Sequence, residues 1–159
     1  MSGEISQVPV SRRRSPQLVL VGALRSTELV DEPMLAGMPA HLREVMIETN
    51  KIRRSRGLRP LDWANGLAKA GDVHADDMAR RRYLAHNTKG GPSWHKLIKR
   101  YYRNPAGQNI ARGYAGPDAV VRAWMNSPLH RKNIVNPRFK TIGIGFNTNG
   151  DYWVQNFGY

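Results

Sequence analysis

Five histidines and no cysteine bound the side-chain chemistry of this 159-residue chain. Without thiols there is no disulfide, zinc-thiolate site, iron–sulfur cluster or cysteine nucleophile. Ser127 and His130 stand three apart, which places both on one helical face if Pro128 leaves the helix intact. A serine nucleophile needs such a base, together with an orienting third group and an oxyanion hole. Asp76 and Asp77 fall in mid-helix and Asp118 at a helix cap, and none has a motif reason to orient His130. His74, three residues before Asp77, reads as a packing or hydrogen-bonding residue, and His41 and His95 read as surface. A second kind of chemistry is charge. Lys96, Lys99, Arg100 and Arg103 stand beside Tyr101 and Tyr102, the basic–aromatic mixture that suits a polyanion. No nucleic-acid recognition motif accompanies it, so specific nucleic-acid binding is not predicted. Arg53-Arg54-Ser55-Arg56 and Arg80-Arg81-Arg82 sit at helix C-termini, where cations complement the dipole.

The elements that must hold these residues begin at residue 40. Leu42, Val45, Met46, Thr49 and Ile52 recur at helical spacing up to Gly57, with Pro60 barring continuation. Asp62 reads as the cap of a second helix through Leu67, Ala70, Val73, His74 and Met78, fading near Tyr83-Leu84. After the Gly90-Gly91-Pro92 turn, Ser93 caps a third helix from Trp94 to Tyr102, and Asn104-Pro105-Ala106-Gly107 breaks the chain. Gly116-Pro117-Asp118 starts a fourth helix, which Pro128 interrupts before a turn through His130–Asn133. Thr141–Phe146 and Tyr152–Phe157 read as strands joined by a two-residue Asn149-Gly150 hairpin turn. Helices first and a hairpin last make the class α+β. Trp63, Trp124 and Trp153 fall in the core pattern, and Trp94 opens the third helix.

Four blocks carry a resemblance. They are Asn50-Lys51-Ile52-Arg53 with Gly57-Leu58-Arg59-Pro60-Leu61; His74-Ala75-Asp76-Asp77-Met78 running to Leu84-Ala85-His86-Asn87; Gly107-Gln108-Asn109-Ile110-Ala111; and Trp124–Ile134, followed by Gly143-Ile144-Gly145-Phe146 and Tyr152–Phe157. In this order they resemble the CAP family of cysteine-rich secretory, antigen-five and pathogenesis-related proteins, and most of all its short bacterial SCP-like branch. The resemblance covers residues 40–159. It implies an α-β-α sandwich with a central antiparallel sheet and a cavity lined by two histidines and two acids. The histidines match His86 and His130. The acids fall on Gln108 and near Ser127, both neutral here, with Asn109 beside them. Two imidazoles without a carboxylate make a weak zinc site at most, and general acid–base chemistry lacks its carboxylate.

Residues 1–39 read as an extended N-terminal arm with Pro9, Pro16, Pro33 and Pro39. Its Leu18–Leu24 run after Arg12-Arg13-Arg14 suits either a short secretory leader or a strand that pairs with a neighbour. The arm's four arginines and four acids cancel. Residues 40–159 hold 21 basic and 8 acidic residues, the whole of the +13 charge. Such a field attracts polyanions. No apolar run approaches the ~18–20 residues of a membrane span, so an integral membrane protein is not expected. The leading expectation, with its ligand class supplied by the resemblance, is a non-enzymatic binding protein of the cell envelope or extracellular space. Its cavity (His86, Gln108, Asn109, Ser127, His130) and basic surface would take a lipid or anionic glycan. The alternatives are an assembly subunit of an envelope complex or phage virion, attached to a protein partner through residues 1–39, and a weak hydrolase centred on His86 and His130.

Overall fold

The computed structural model describes residues 36–159, so the readings that turn on the arm before residue 36 lie outside the described residues. The elements run α1 (Ala40–Ser55), β1 (Asp62–Trp63), α2 (Asn65–Arg81), α3 (Trp94–Lys99), β2 (Pro105–Arg112), α4 (Pro117–Asn126), α5 (Pro128–Ile134), β3 (Thr141–Asn147) and β4 (Tyr152–Gly158). Four strands form one sheet in the order β1-β3-β4-β2. The fold is the α-β-α sandwich that the resemblance implies.

Each strand alternates its side chains between two helical layers. On one face Ile142, Ile144, Trp153 and Phe157 meet Leu42, Val45 and Met46 of α1 and Val120, Val121 and Trp124 of α4. Each large apolar side chain fully buried there contributes about 1.5–3 kcal/mol. The other face receives α2 at very short range. Gly143 and Gly145 of β3 lie against the α2 backbone at Leu67–Ala68 and Gly71–Asp72, where a Cβ on either would collide. Tyr152 and Val154 pack on Ala75 and Met78 of the same helix.

Several sequence expectations need correction. Asp62 caps no helix. It pairs with Thr141 in β1, a strand parallel to β3, so the otherwise antiparallel sheet has one parallel edge. Helix α2 begins three residues later, and the residue that caps its C-terminus, Arg82, takes the left-handed conformation at φ 54°. Helix α3 stops at Lys99, short of Tyr102, although Ser93 does cap it through Oγ, which accepts from the Lys96 N–H. The β3–β4 turn is a four-residue loop, 148–151, because Asn147 already pairs with Tyr152. Gly150 and Asp151 supply its positive φ angles of 98° and 51°. Strand β2, absent from the sequence reading, pairs along its length with β4.

Arg53 lies in the last turn of α1, as its reading as a helix-end cation expects, but it does more than complement the dipole. It is wholly buried. Its guanidinium donates only to backbone carbonyls: Arg59 and Ile134 at 2.9 Å, Asn136 at 2.8 Å and Phe139 at 3.3 Å. The five-donor fork thus ties the end of α1 to the segment between α5 and β3. Burial pushes its pKa down from the usual arginine value.

Candidate functional site

Strand β2 sends Gln108 to one face of the sheet and Asn109 to the other, and each side chain is buried. Backbone carbonyls, which can only accept, fix the donor directions on both faces. On the α2 face the Leu67 carbonyl takes the Asn156 Nδ2–H at 3.0 Å. Asn156 Oδ1 therefore faces Gln108 and accepts its Nε2–H at 2.9 Å. Gln108 Oε1 is left for His86 Nδ1, which donates to it at 2.9 Å. A neutral His86 consequently carries its proton on Nδ1 and its lone pair on Nε2.

On the opposite face the His130 carbonyl accepts from Asn109 Nδ2 at 3.1 Å. That amide also donates to Gln155 Oε1 at 2.9 Å, and Gln155 passes a hydrogen bond to Thr49 on α1. Asn133 of α5 donates to Asn109 Oδ1 at 2.9 Å and to the Gln108 carbonyl at 3.2 Å. Trp124 donates to the Ile110 carbonyl at 3.1 Å. Helices α4 and α5 are thereby fastened to the outer side of β2, and α5 carries His130 at its first turn.

His130 Nδ1 lies 2.8 Å from Ser127 Oγ, so the predicted pair meets. Burial, and then the proximity of His86, hold the His130 pKa below the usual histidine value. No described carboxylate bonds either imidazole. His86 is exposed and His130 half-buried. Leu84 and Leu129, close to them in sequence, are 49% and 81% exposed. Beside Ser127 a shallow groove runs past Asn126, Ala123 and Arg122 to Tyr114.

The sequence singled out Gln108, Asn109, His86, Ser127 and His130. The structure links the first two to the histidines through the bonds above. It adds Asn133, Gln155, Asn156 and Thr49, which the sequence reading passed over. The signal available was polar residues at inward positions of otherwise apolar strands, a pattern that demands partners.

The remaining charged and aromatic residues fall as follows. Lys96, Lys99, Arg100 and Arg103 are exposed, as is Tyr101, but Tyr102 turns inward to share a 2.8 Å hydrogen bond with Thr141. Arg80 and Arg81 bond Asp77 at 2.8 and 3.4 Å. Burial opposes the charge of Asp77, yet the bonds from Tyr83 and Arg80 outweigh it and hold its pKa below the usual value. His74 is buried and donates from Nε2 to the Ala85 carbonyl at 2.7 Å, which holds the loop before His86. Burial lowers its pKa. His41 and His95 are half-buried, not surface residues, and pack edge-on against Phe146 and Trp94.

A resident metal does not fit this donor set. The candidates His86 and His130 offer two imidazoles, and the amide of Gln108 already bonds His86 and Asn156. Among the described residues no three His, Asp or Glu side chains gather at one point. No described helix is long and apolar enough to cross a membrane.

The model of the cysteine-rich secretory protein family, CAP, matches residues 46–157. The Bacillus subtilis protein YkwD is 38% identical over 125 residues, covering 77% of this chain and 48% of its own length. The B. subtilis membrane protein YlbC is 30% identical over 149 residues, or 92% of this chain and 42% of its own. The chain thus spans a little under half the length of these relatives. Among solved structures, an extracellular SCP-domain protein of Bacillus anthracis superposes with a TM-score of 0.71 at 25% identity, covering 87% of this chain and 45% of that one. The Borrelia burgdorferi outer surface protein gives 0.65 at 25% identity, covering 73% and 90%.

Proposed function

This chain belongs to the cysteine-rich secretory protein (CAP) family, and from that premise we propose that it is a non-enzymatic binding module for anionic components of the cell envelope or extracellular space. The observation that carries the reading is the neutral setting of the paired histidines. His86 is oriented by an amide and His130 by a hydroxyl. Such a site presents hydrogen-bonding imidazoles to a ligand but holds no carboxylate to shuttle protons. The positive field of residues 40–159 supports an anionic partner, lipid or glycan. Its similarity to extracellular, outer-surface and membrane proteins supports the compartment.

The test is retention on immobilised polygalacturonate, an anionic glycan, and on anionic phospholipid vesicles, with neutral dextran and zwitterionic vesicles as controls. Retention on at least one anionic matrix, weakened by salt and by the double variant His86→Ala/His130→Ala, is expected. Equal retention on the neutral controls refutes the reading. A second reading, hydrolysis, is favoured by the 2.8 Å approach of Ser127 Oγ to His130 Nδ1. It requires ester turnover that Ser127→Ala abolishes. The attachment reading turns on the arm. It requires partner capture by the full chain that is lost when residues 1–39 are deleted.

A further inference from the structure

A cavity of about 360 Å³ opens between α2, the loop after it and α3, and neither His86 nor His130 lines it. That volume lies in the range of small-molecule sites, which are mainly apolar with a few placed polar groups. Val73 of α2, Pro92 of the loop and Leu97 of α3 supply apolar wall. His74, also in the wall, is buried and leaves Nδ1 without a partner among the described residues.

Four charged residues line the cavity: Asp76, Asp77, Arg80 and Arg100. Three of them are engaged. Asp77 Oδ1 bonds Arg80, and Oδ2 bonds Tyr83 at 2.6 Å and Arg81. Asp76 accepts from Asn147 at 2.7 Å. Arg100 makes no ion pair among the described residues. Exposed Lys96, Lys99 and Arg103 stand close to it in the chain and reinforce its charge. Asp76 keeps its charge, since its partner is a neutral amide, and the four lining charges balance; it is the basic cluster around Arg100 that makes this end of the pocket match the anionic group of a molecule with an apolar body.

We propose that this cavity is a second binding site, distinct from the paired histidines, for a small anionic amphiphile. The apolar body packs between Val73, Pro92 and Leu97, and the anionic group meets Arg100. The proposal does not depend on what the histidine site binds.

The experiment is calorimetric titration of the full chain with decyl phosphate below its micelle threshold. Inorganic phosphate and anionic phospholipid vesicles form parallel arms. Saturable one-to-one binding of decyl phosphate is expected, with no heat from inorganic phosphate. Arg100→Glu, on an exposed side chain, should weaken it at least tenfold. Val73→Trp, which fills the cavity, should abolish it. Circular dichroism establishes that each variant is folded, and Arg100→Glu alone decides if Val73→Trp is not. Absence of decyl phosphate binding overturns the proposal. So does unchanged affinity in a folded variant, or binding confined to vesicles, which would mark surface charge alone.

Discussion

Replacing Gln108 by Glu restores the acid that the family pattern places there, and the structure predicts that the change is costly. The Gln108 amide serves two partners at once, accepting from His86 and donating to Asn156. A carboxylate has no N–H to give. Asn156 Oδ1, in a fully buried residue, would face another acceptor, and Asn156 cannot turn without losing the Leu67 carbonyl. An unsatisfied buried acceptor costs about 1–3 kcal/mol. At pH 8 a neutral imidazole offers no ion pair to offset this, so the loss there is about 1–3 kcal/mol, a fall of roughly 3–12 °C in melting temperature for a domain of this size.

The pH dependence has a definite sign. Burial raises the new carboxyl's folded pKa above its unfolded value of about 4.3, so the folded chain holds the proton more tightly. The penalty is absent below that unfolded value and grows as pH rises through the folded pKa. Once protonated, the carboxyl's O–H can replace the lost amide donor. Scanning calorimetry of both proteins at pH 5 and pH 8 should show the gap narrow in acid. Coincident melting at pH 8, or a gap that widens in acid, refutes the amide-bridge account.

Other expectations follow from single features. Arg53→Met leaves four carbonyls without their shared donor, and urea unfolding should show a loss of roughly 3–5 kcal/mol with the fold otherwise retained. His74 and His130 have depressed folded pKa values, so their contributions are full above about pH 6.5 and are lost as pH falls through the folded values. His74→Gln keeps a donor for Ala85 but cannot titrate, and its melting temperature should drop less than the parent's between pH 7 and pH 5. Gly145→Ala forces α2 off the sheet, and a melting loss of at least about 10 °C is expected, read by circular dichroism.

The helices were legible because their apolar residues keep a 3.6-residue period against simple partners, as Leu42, Val45 and Met46 show. Strand β2 was not. Its segment Pro105-Ala-Gly-Gln-Asn-Ile-Ala-Arg opens with turn-formers, and two of its buried positions are amides. Their partners, Asn156 and Gln155, lie more than forty residues away in sequence. Asp62 looked like a cap because a strand of two residues has no period to detect. The burial of Arg53 was not legible because its acceptors are backbone carbonyls, and these leave no trace in residue types. His86, and its pairing with His130, came only from the resemblance, since no spacing within the chain connects the two histidines.

The fastening of α4 and α5 to β2 bears on how this protein behaves in company. A sheet edge with unsatisfied carbonyls invites strands from other molecules, the route to edge-to-edge aggregation. Here the outward carbonyls of Gln108 and Ile110 are occupied by Asn133 and Trp124. The opposite edge is shared by the two residues of β1 and the rest of β3, where Asp72 accepts from the Phe146 N–H. Among the described residues each border of the sheet is thus interrupted by side-chain bonds. A basic protein that gathers many copies on a polyanionic matrix would be crowded there, and these interruptions shorten the run of edge that a neighbouring copy could extend.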